Sequence, residues 1–545
     1  MKEKVRIWIA VFCCSVAWLY GAYSPVFWIP FAHHDDYYLF AYDDRSTIKN
    51  HPLYRLINAI GRYGHNVLAG PLYRMIHEVG DLAYLRVISL IAFAIYATSL
   101  FQTFFRAGFG RLTAFFLTAS IFVLPGAQYV FGYAIAGVGA LAIGPALIAS
   151  YLTRKLPLPK THLEVKSPAT WKTWSYFIGA FLALFLSICI YPAWTAFYLV
   201  PPLIGYASPA HGNLSVARRQ VYIHLIIFTT CALAYFFLQT FLLKPLWYPD
   251  MKLGHYELAI TSQLWDRCTV FILTTLPRIL NMYKISTETW PAILGGLVLT
   301  IGTMATCFEA PKRNGGDTSF ARFLLHDLFI KVLVLGAACL PVIAPSSYHS
   351  EYRLMWVPQV VILCLAATGL YWCLVLIAKK AQAVLLLVLA GLFVGLGTLS
   401  ASANANKVAA DANLEISYIK LRVLQETKYF PSLPQIHIVM PTEKCYAMTS
   451  LGIPTDEWGL STAFWADVPW MVRAVLIDLR AKKGVVPPII PLPPSHLTET
   501  ALIQAQAKGL IVSSSHAGQR FPLLPGALVI DMNDICGLRN AMGLP

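Results

Sequence analysis

About eleven apolar stretches, each long enough to cross a lipid bilayer, occupy the first 400 residues of this chain. An α-helix of roughly 20 apolar residues spans the hydrocarbon core of a membrane. The hydropathy pattern predicts such spans near 7–30, 82–104, 112–126, 130–152, 174–190, 193–207, 220–243, 290–308, 326–344, 354–378 and 383–400. With 57% hydrophobic and only 13% charged residues, the 545-residue chain has more apolar surface than a soluble protein can bury. The sequence therefore predicts a polytopic α-helical membrane protein.

Lysine and arginine alternate between the loops in a pattern that predicts orientation. Basic residues precede the first span and occupy every second loop after it, at Lys2, Lys4, Arg6, Arg106, Arg111, Arg154, Lys155, Lys160, Arg218, Arg219, Lys312, Arg313, Lys379 and Lys380. Because short cytoplasmic loops are enriched in Lys and Arg, we expect a cytoplasmic N-terminus. An odd number of spans then places the C-terminus outside. These loops account for most of the net charge of +15, so no nucleic-acid partner is inferred.

The first outer loop, residues 31–81, opens with the acidic and aromatic sequence His33-His34-Asp35-Asp36-Tyr37-Tyr38 and continues with Asp43-Asp44. Carboxylates concentrated at the mouth of a membrane helix often mark a reaction site or an ion path. Apolar residues three and four apart in the rest of this loop predict short helices in the membrane interface, broken at glycines. Such helices would cover a cavity beside the acidic cluster.

At residue 404 the hydrophobic pattern ends, which divides the chain into a membrane part, 1–403, and a soluble part, 404–545. Helical periodicity at 414–429 and 468–482, with strand patterns at 435–440, 509–513 and 527–532, predicts an extracytoplasmic α/β domain. The proline-rich stretch 485–494 predicts an extended, polyproline-like connection. Cys445 and Cys536 fall together in this polar region, and whether they form a disulfide stays open.

The order of a first span, an acidic outer loop, many further spans and a soluble C-terminal domain resembles the GT-C superfamily of membrane glycosyltransferases. The sequence Asp-Asp-Tyr-Tyr at 35–38 is most similar to bacterial O-antigen glucosyltransferases of the Gtr type. The resemblance implies transfer of a sugar, with glucose favoured, from a polyprenyl-phosphate donor to a surface or lipid-linked glycan such as lipopolysaccharide, with inversion at the anomeric carbon. It implies a bacterial inner membrane location, with a periplasmic C-terminal domain and membrane lipids as partners.

Inverting sugar transfer needs a carboxylate that accepts a proton from the acceptor hydroxyl. Asp36 is narrowly preferred over Asp35 as this base, and the other would orient the acceptor or bind a metal. Asp43 and Asp44 are secondary candidates. A purely structural role, in which Asp35 and Asp36 cap the next helix, stays open. No metal ligand is assigned, although a divalent metal held by the aspartates and the two histidines of the cluster stays an alternative.

The leaving phosphate needs a cation, and Arg353, with Tyr352 and His349, is the best candidate for the donor phosphate site. These residues belong to the short outer connection that precedes the span at 354–378. A guanidinium can hold a phosphate through two parallel hydrogen bonds. Alternatively, Arg353 only extends to the lipid headgroups. Further basic candidates occur in another outer loop, at Lys244, Arg267, Arg278 and Lys284.

Two other classes of protein have a similar outline. A transporter or flippase of lipid-linked sugars should carry ionisable groups deep within its spans, which look nearly free of charge in this sequence. A polysaccharide-assembly protein without catalysis would account for the C-terminal domain. It would not account for the acidic cluster.

Overall fold

The structure, a computed structural model, describes residues 2–40, 52–156, 171–207, 214–248, 261–280, 293, 296–305, 320–343, 352–378, 380–427, 436–439, 467–479, 489–492, 511–513, 520–522 and 528–532.

The membrane part consists of α-helices joined by short 3-10 and π-helical segments. The α-helices are α1 (Lys2–Tyr23), α2 (Pro25–Trp28), α3 (Pro52–Ala59), α4 (Tyr63–Tyr73), α5 (Leu82–Arg106), α6 (Arg111–Ile121), α7 (Pro125–Gly132), α8 (Ala136–Ala140), α9 (Ile143–Thr153), α10 (Trp171–Ile190), α11 (Val200–Tyr206), α12 (Leu214–Phe237), α13 (Lys244–Trp247), α14 (Thr261–Val270), α15 (Leu276–Leu280), α16 (Gly296–Ala305), α17 (Phe320–Ile343), α18 (Tyr352–Ile377) and α19 (Gln382–Thr427). The 3-10 helices are His34–Phe40, Val79–Asp81 and Pro192–Leu199, and the π-helices are Leu238–Leu243 and Phe271–Thr275. We call His34–Phe40 the motif helix.

Within the described ranges, eight helices are long and apolar enough to cross a membrane. They lie at Val5–Tyr23, Val79–Arg106, Ala136–Thr153, Trp171–Ile190, Val216–Trp247, Leu324–Pro341, Arg353–Ile377 and Gln382–Gln425. A ninth candidate is the pair α6 and α7, which is bent by 59°. The spans predicted at 193–207 and 290–308 correspond to less regular pieces, a 3-10 helix followed by α11, and α16. The polytopic helical class is confirmed, whereas the number eleven stays a prediction.

The helices of the first outer loop follow the prediction in part. α3 and α4 are short, and the break between them falls at Gly61. Its φ of +87° lies in a region that glycine adopts readily and that is energetically unfavourable for residues with a Cβ atom. A further break, which the glycine pattern predicts at Gly70-Pro71, is wrong, because α4 continues through Pro71 to Tyr73. Tyr235 of α12 donates a hydrogen bond to the Gly61 carbonyl at 2.8 Å, which fixes the turn against the membrane part.

The C-terminal part is the predicted α/β domain. Its elements are β1 (Ile436–Val439), α20 (Asp467–Asp478), β2 (Ile489–Leu492), β3 (Ile511–Ser513), β4 (Arg520–Pro522) and β5 (Leu528–Asp531). The strands β2, β1 and β5 form a parallel sheet in that order, and β3 pairs with β4 in an antiparallel ribbon. The interpretation of 485–494 as a mere connection is wrong, since Ile489–Leu492 pairs with β1. Pro491 is tolerated because β2 is at the edge of this sheet.

The C-terminal domain packs on the motif helix. Tyr37 and Phe40 share one buried apolar cluster with Met471 and Val475 of α20. An even number of membrane crossings must therefore separate the motif helix from α20. Seven of the eight regular spans lie between them, so, if each of these seven crosses, an odd number of the three less regular segments, the α6–α7 pair, 192–206 and α16, crosses as well. If all three cross, the total agrees with the predicted spans.

The connection between the two parts is helix α19 itself, which continues from the membrane without a break to Thr427. The predicted division at residue 404 falls inside this helix and stays a prediction.

Candidate active site

Asp36 is the best-defined residue of the acidic cluster, and its side chain is 0% exposed. Its Oδ1 accepts a hydrogen bond from the Ile135 N–H at 2.9 Å, and its Oδ2 accepts from the N–H groups of Ala134 at 3.1 Å and His33 at 3.2 Å. Ala134 and Ile135 lie in the connection between α7 and α8. Asp36 therefore caps a helix start, as the structural alternative expected, but that start is almost 100 residues away rather than the next in the chain.

Arg86 of α5 supplies the positive charge that faces Asp36. Its Nη2 lies 3.6 Å from Oδ2 of Asp36, and both side chains are buried. The guanidinium also donates to the carbonyl oxygens of Phe131 at 3.0 Å and Phe31 at 3.2 Å, and it stacks 3.7 Å from the centre of the Phe31 ring. Arg86 thus joins the end of the first span, the motif helix and the end of α7. Sequence reasoning missed this residue, although a lone arginine in the predicted span 82–104 was a signal for it.

Burial raises the pKa of Asp36 from 3.8 to about 6, because removal from water disfavours the charged carboxylate. The charge of Arg86 and the backbone N–H groups act in the opposite direction and limit the rise. Asp36 is therefore mostly ionised at neutral pH. It becomes protonated under mildly acidic conditions.

A line of aromatic rings connects the motif helix to Arg353. The His33 ring meets the Tyr133 ring edge-on at 4.7 Å, and Tyr133 stacks on Tyr129 at 4.1 Å between ring centres. Arg353 donates from Nη1 to the Tyr129 hydroxyl at 2.7 Å. Residues predicted for the base and for the phosphate site, some 320 positions apart in sequence, thus belong to one contact network at the same end of the bundle.

A second cation lies on the other side of Arg353. The indole N–H of Trp194 donates to the Arg353 carbonyl at 2.8 Å, and Trp194 stacks on Tyr191 at 4.2 Å. The guanidinium of Arg62, from the first outer loop, lies 4.3 Å from the centre of the Tyr191 ring. Gly139 makes room for these rings, since a Cβ there would lie 2.9 Å from Tyr191. Arg353 and Arg62 therefore lie at the two ends of a chain of contacts through Trp194 and Tyr191.

The remaining predicted site residues are placed only in part. Asp35 is in the motif helix, Tyr352 is the first residue of α18 and Arg278 is in α15, but the structure does not describe their side chains. Lys244 starts α13 and Arg267 is in α14, both half-buried. Asp43, Asp44, Lys284 and His349 lie outside the described residues, as do Cys445 and Cys536.

Lys244 follows a segment that is tied to the first outer loop. Gln239 of the π-helix accepts a hydrogen bond from the Tyr63 hydroxyl at 2.9 Å and donates to the Ala59 carbonyl at 2.7 Å. The loop helices α3 and α4 therefore lie against the end of the helix from which α13 extends. In the part of the chain with described side chains, no group of three His, Cys, Asp or Glu residues could hold a metal ion.

The expectation that the spans are nearly free of charge needs correction. Besides Arg86, α17 contains the buried pair Asp327 and Lys331, with 2.6 Å between Oδ2 and Nζ. Tyr206 donates to the same aspartate at 2.7 Å. Asp327 and Lys331 thus neutralise each other locally, which is how a membrane protein stabilises ionisable residues inside a span.

No protein-family model matches this chain, and no curated protein matches it significantly. Among solved structures, the chain is similar to the oligosaccharyltransferase of Archaeoglobus fulgidus in the apo form, with 12% identity, a TM-score of 0.36, and coverage of 92% of this chain and 69% of that one. The same enzyme tethered to an acceptor peptide with the NVT sequon gives 12% identity, a TM-score of 0.38, and coverage of 92% and 68%. Scores of this size indicate a loose likeness, and no residue role is transferred from that enzyme.

Proposed function

We propose that this protein is a GT-C-type membrane glycosyltransferase that moves a sugar from a lipid-linked phosphate donor to a glycan acceptor, at the end of the bundle that carries the motif helix. The observation that carries this proposal is the contact network between the motif helix and Arg353. It joins an acidic cluster to a guanidinium, and these are the two kinds of group that such a transfer needs.

In the proposed reaction, the acceptor hydroxyl gives its proton to a carboxylate while its oxygen forms a bond to the anomeric carbon. The bond between that carbon and the donor phosphate oxygen breaks, and the phosphate leaves with the electron pair. A cation beside the phosphate stabilises the charge that develops there. Direct displacement inverts the anomeric carbon.

We assign the base to Asp35 and a positioning role to Asp36. Both oxygens of Asp36 already accept backbone N–H groups, and the side chain has no exposed surface, so it is poorly suited to meet an acceptor hydroxyl. Position 35 lies about 120° around the 3-10 helix from position 36. Asp36 would hold the motif helix in place while its neighbour performs the proton transfer.

We assign the donor phosphate to Arg353, with Arg62, which lies beside Tyr191, as a second cation. Charge-assisted hydrogen bonds from a guanidinium to phosphate are about twice as strong as neutral ones. The rings of Tyr129, Tyr133, Tyr191 and Trp194 are at most 5% exposed, so their role in this proposal is to hold the two arginines in place.

The finer proposal concerns compartment and substrates. Basic loops at the opposite end of the bundle favour a cytoplasmic N-terminus, with the motif helix and the C-terminal domain on the outer, periplasmic side of a bacterial inner membrane. The resemblance of residues 35–38 to O-antigen glucosyltransferases favours a polyprenyl-phosphate hexose, with glucose preferred, and a surface glycan as acceptor.

The test is a transfer assay in membranes with radiolabelled polyprenyl-phosphate hexose and the lipid-linked glycan of the host, supported by mass analysis of the surface polysaccharide with and without the gene. Asp35→Asn should lower the transfer rate by about 10²–10⁴-fold while the protein melts as the wild type does. Asp36→Asn should lower both rate and melting midpoint. Asp81→Asn is the matched control, because this carboxylate is in the same outer loop and accepts only local backbone N–H groups.

Full transfer by Asp35→Asn and Asp36→Asn, singly and combined, would refute the assignment of the site. For the phosphate, Arg353→Ala should raise the donor concentration needed for half-maximal rate, and Arg353→Lys should fall between the alanine variant and the wild type. Equal donor dependence in the three proteins would mean that Arg353 only holds α18 in place.

A further inference from the structure

A cavity of about 360 Å³ opens at the end of the bundle opposite the motif helix. Its position follows from the two ends of α5. Arg86 near the start of this helix faces Asp36, and Arg106 at its end lines the cavity. The two arginines are 20 residues apart, which is about 30 Å along an α-helix. The ends of α5 and α9, helix α11 and the first turns of α12 enclose it. It is thus separate from the proposed active site by the thickness of a membrane.

Two arginines line this cavity, and no acidic residue is among its described lining. Arg106 donates to Gln102 on its own helix at 3.3 Å, and Arg154 donates to the Pro201 carbonyl. Neither is in an ion pair with a carboxylate in the part of the chain that the structure describes. Burial and the charge of Arg106 lower the pKa of Arg154 to about 10, so both stay charged and repel each other at neutral pH.

The other polar groups around the cavity agree with an anionic occupant. The first turns of α12 contribute Val216, Ala217 and Gln220, so the positive end of this 24-residue helix faces the cavity. Oε1 of Gln220 is buried and has no hydrogen-bond partner. Asp327 accepts a hydrogen bond from the lining residue Tyr206, but this carboxylate is already paired with Lys331.

We propose that this cavity binds the phosphate of an anionic phospholipid headgroup. Arg106 and Arg154 would hold the phosphate, and Gln220 Oε1 would accept a hydrogen bond from a headgroup hydroxyl. The lining favours a lipid over a free anion, because the apolar lining residue Val216 is 40% exposed, as expected of a side chain that contacts an acyl chain.

The experiment measures the melting midpoint of the purified full-length protein in a neutral detergent during titration with phosphatidylglycerol, phosphatidylcholine or inorganic phosphate. Phosphatidylglycerol should raise the midpoint and phosphatidylcholine should not. Arg106→Gln and Arg154→Gln should each weaken the apparent affinity for phosphatidylglycerol by about tenfold, since each removes a charge-assisted contact. Lys155→Ala is the control, because this exposed lysine follows Arg154 but does not line the cavity.

If Arg154→Gln does not fold, the affinities of Arg106→Gln and Val216→Trp for phosphatidylglycerol test the proposal instead. The tryptophan fills the rim of the cavity and leaves both arginine charges in place. The same shift with millimolar inorganic phosphate as with phosphatidylglycerol would support the phosphate site and assign it to a free anion. Equal shifts with the two lipids would overturn the proposal. An equal loss of affinity in Lys155→Ala would overturn it too, because a general surface charge would then explain the binding.

Discussion

The buried pair of Arg86 and Asp36 gives the most quantitative prediction. Replacing Arg86 by methionine fills much of the same volume but removes the charge that faces Asp36, together with the bonds to the carbonyls of Phe31 and Phe131. Removing one partner of a buried ion pair lowers the free energy of unfolding by about 3–5 kcal/mol, because the other charge stays buried without a partner. We expect Arg86→Met to lower the free energy of unfolding by this amount, which is a large share of the stability of most domains.

A double-mutant cycle separates the charge pairing from the loss of packing. Asp36→Asn alone leaves Arg86 unpaired and points an NH₂ group toward backbone N–H donors, so it should also destabilise. The double variant carries no buried charge at this place. Its cost should therefore be smaller than the sum of the single costs, with a coupling energy of about 1–3 kcal/mol.

The measurement is thermal loss of the monodisperse peak in detergent, followed by tryptophan fluorescence during size-exclusion chromatography. Arg111→Met is the matched control, because Arg111 is exposed at the start of α6. Two results would contradict this reasoning: a melting temperature of Arg86→Met equal to that of Arg111→Met, or losses of unfolding free energy in the two single variants that simply add in the double variant. Either result would mean that the two side chains do not stabilise each other and that other contacts hold the motif helix.

The remaining predictions concern pH and topology. Since the pKa of Asp36 is raised from 3.8 to about 6, its protonation stabilises the folded form, and this contribution is complete below about pH 4 and lost as the pH rises through 6. The stability advantage of the wild type over Asp36→Asn should then shrink by about 3 kcal/mol between those limits, and a constant difference would contradict the assignment. A topology reporter fused after Pro545 should report the outside and one near Lys160 the cytoplasm; a cytoplasmic C-terminus would contradict the predicted orientation.

Much of the membrane part could be predicted from sequence because its determinants are local. An apolar run of about 20 residues can satisfy its backbone inside a bilayer only as a helix or in a closed barrel, so spans such as 82–104 and 354–378 follow from hydropathy alone. The segment 193–207 is different, because Pro192, Pro201 and Pro202 remove backbone donors and favour a 3-10 start.

The C-terminal sheet shows a second limit of local reasoning. Residues 489–492 were correctly predicted to be extended, since proline fixes φ near the extended region. Their pairing with β1 depends on where two distant segments meet, and the residue pattern within ten positions contains no such information. The strand patterns at β1 and β5 were easier, because their branched apolar residues indicate buried strands directly.

The acidic cluster is visible in the sequence, but the contacts that hold Asp36 are not. Asp36 is held by N–H groups of Ala134 and Ile135, and backbone donors leave no trace in side-chain identity. Arg86 was visible as a charge in a span, yet its partner lies 50 positions earlier. The sequence narrowly preferred Asp36 over Asp35 as the base, and the fold shows that the Asp36 side chain faces the protein interior.

Buried ion pairs often contribute little net stability, because the cost of removing two charges from water offsets their attraction. The pair at Arg86 and Asp36 is better explained by the geometry it fixes, since it joins the motif helix, α5 and the start of α8. The double variant Arg86→Met with Asp36→Asn distinguishes stability from positioning. It should regain part of the stability that either single change loses, but transfer should stay low, because position 35 is no longer held at its place. Recovery of stability and transfer together would mean that the pair serves folding alone.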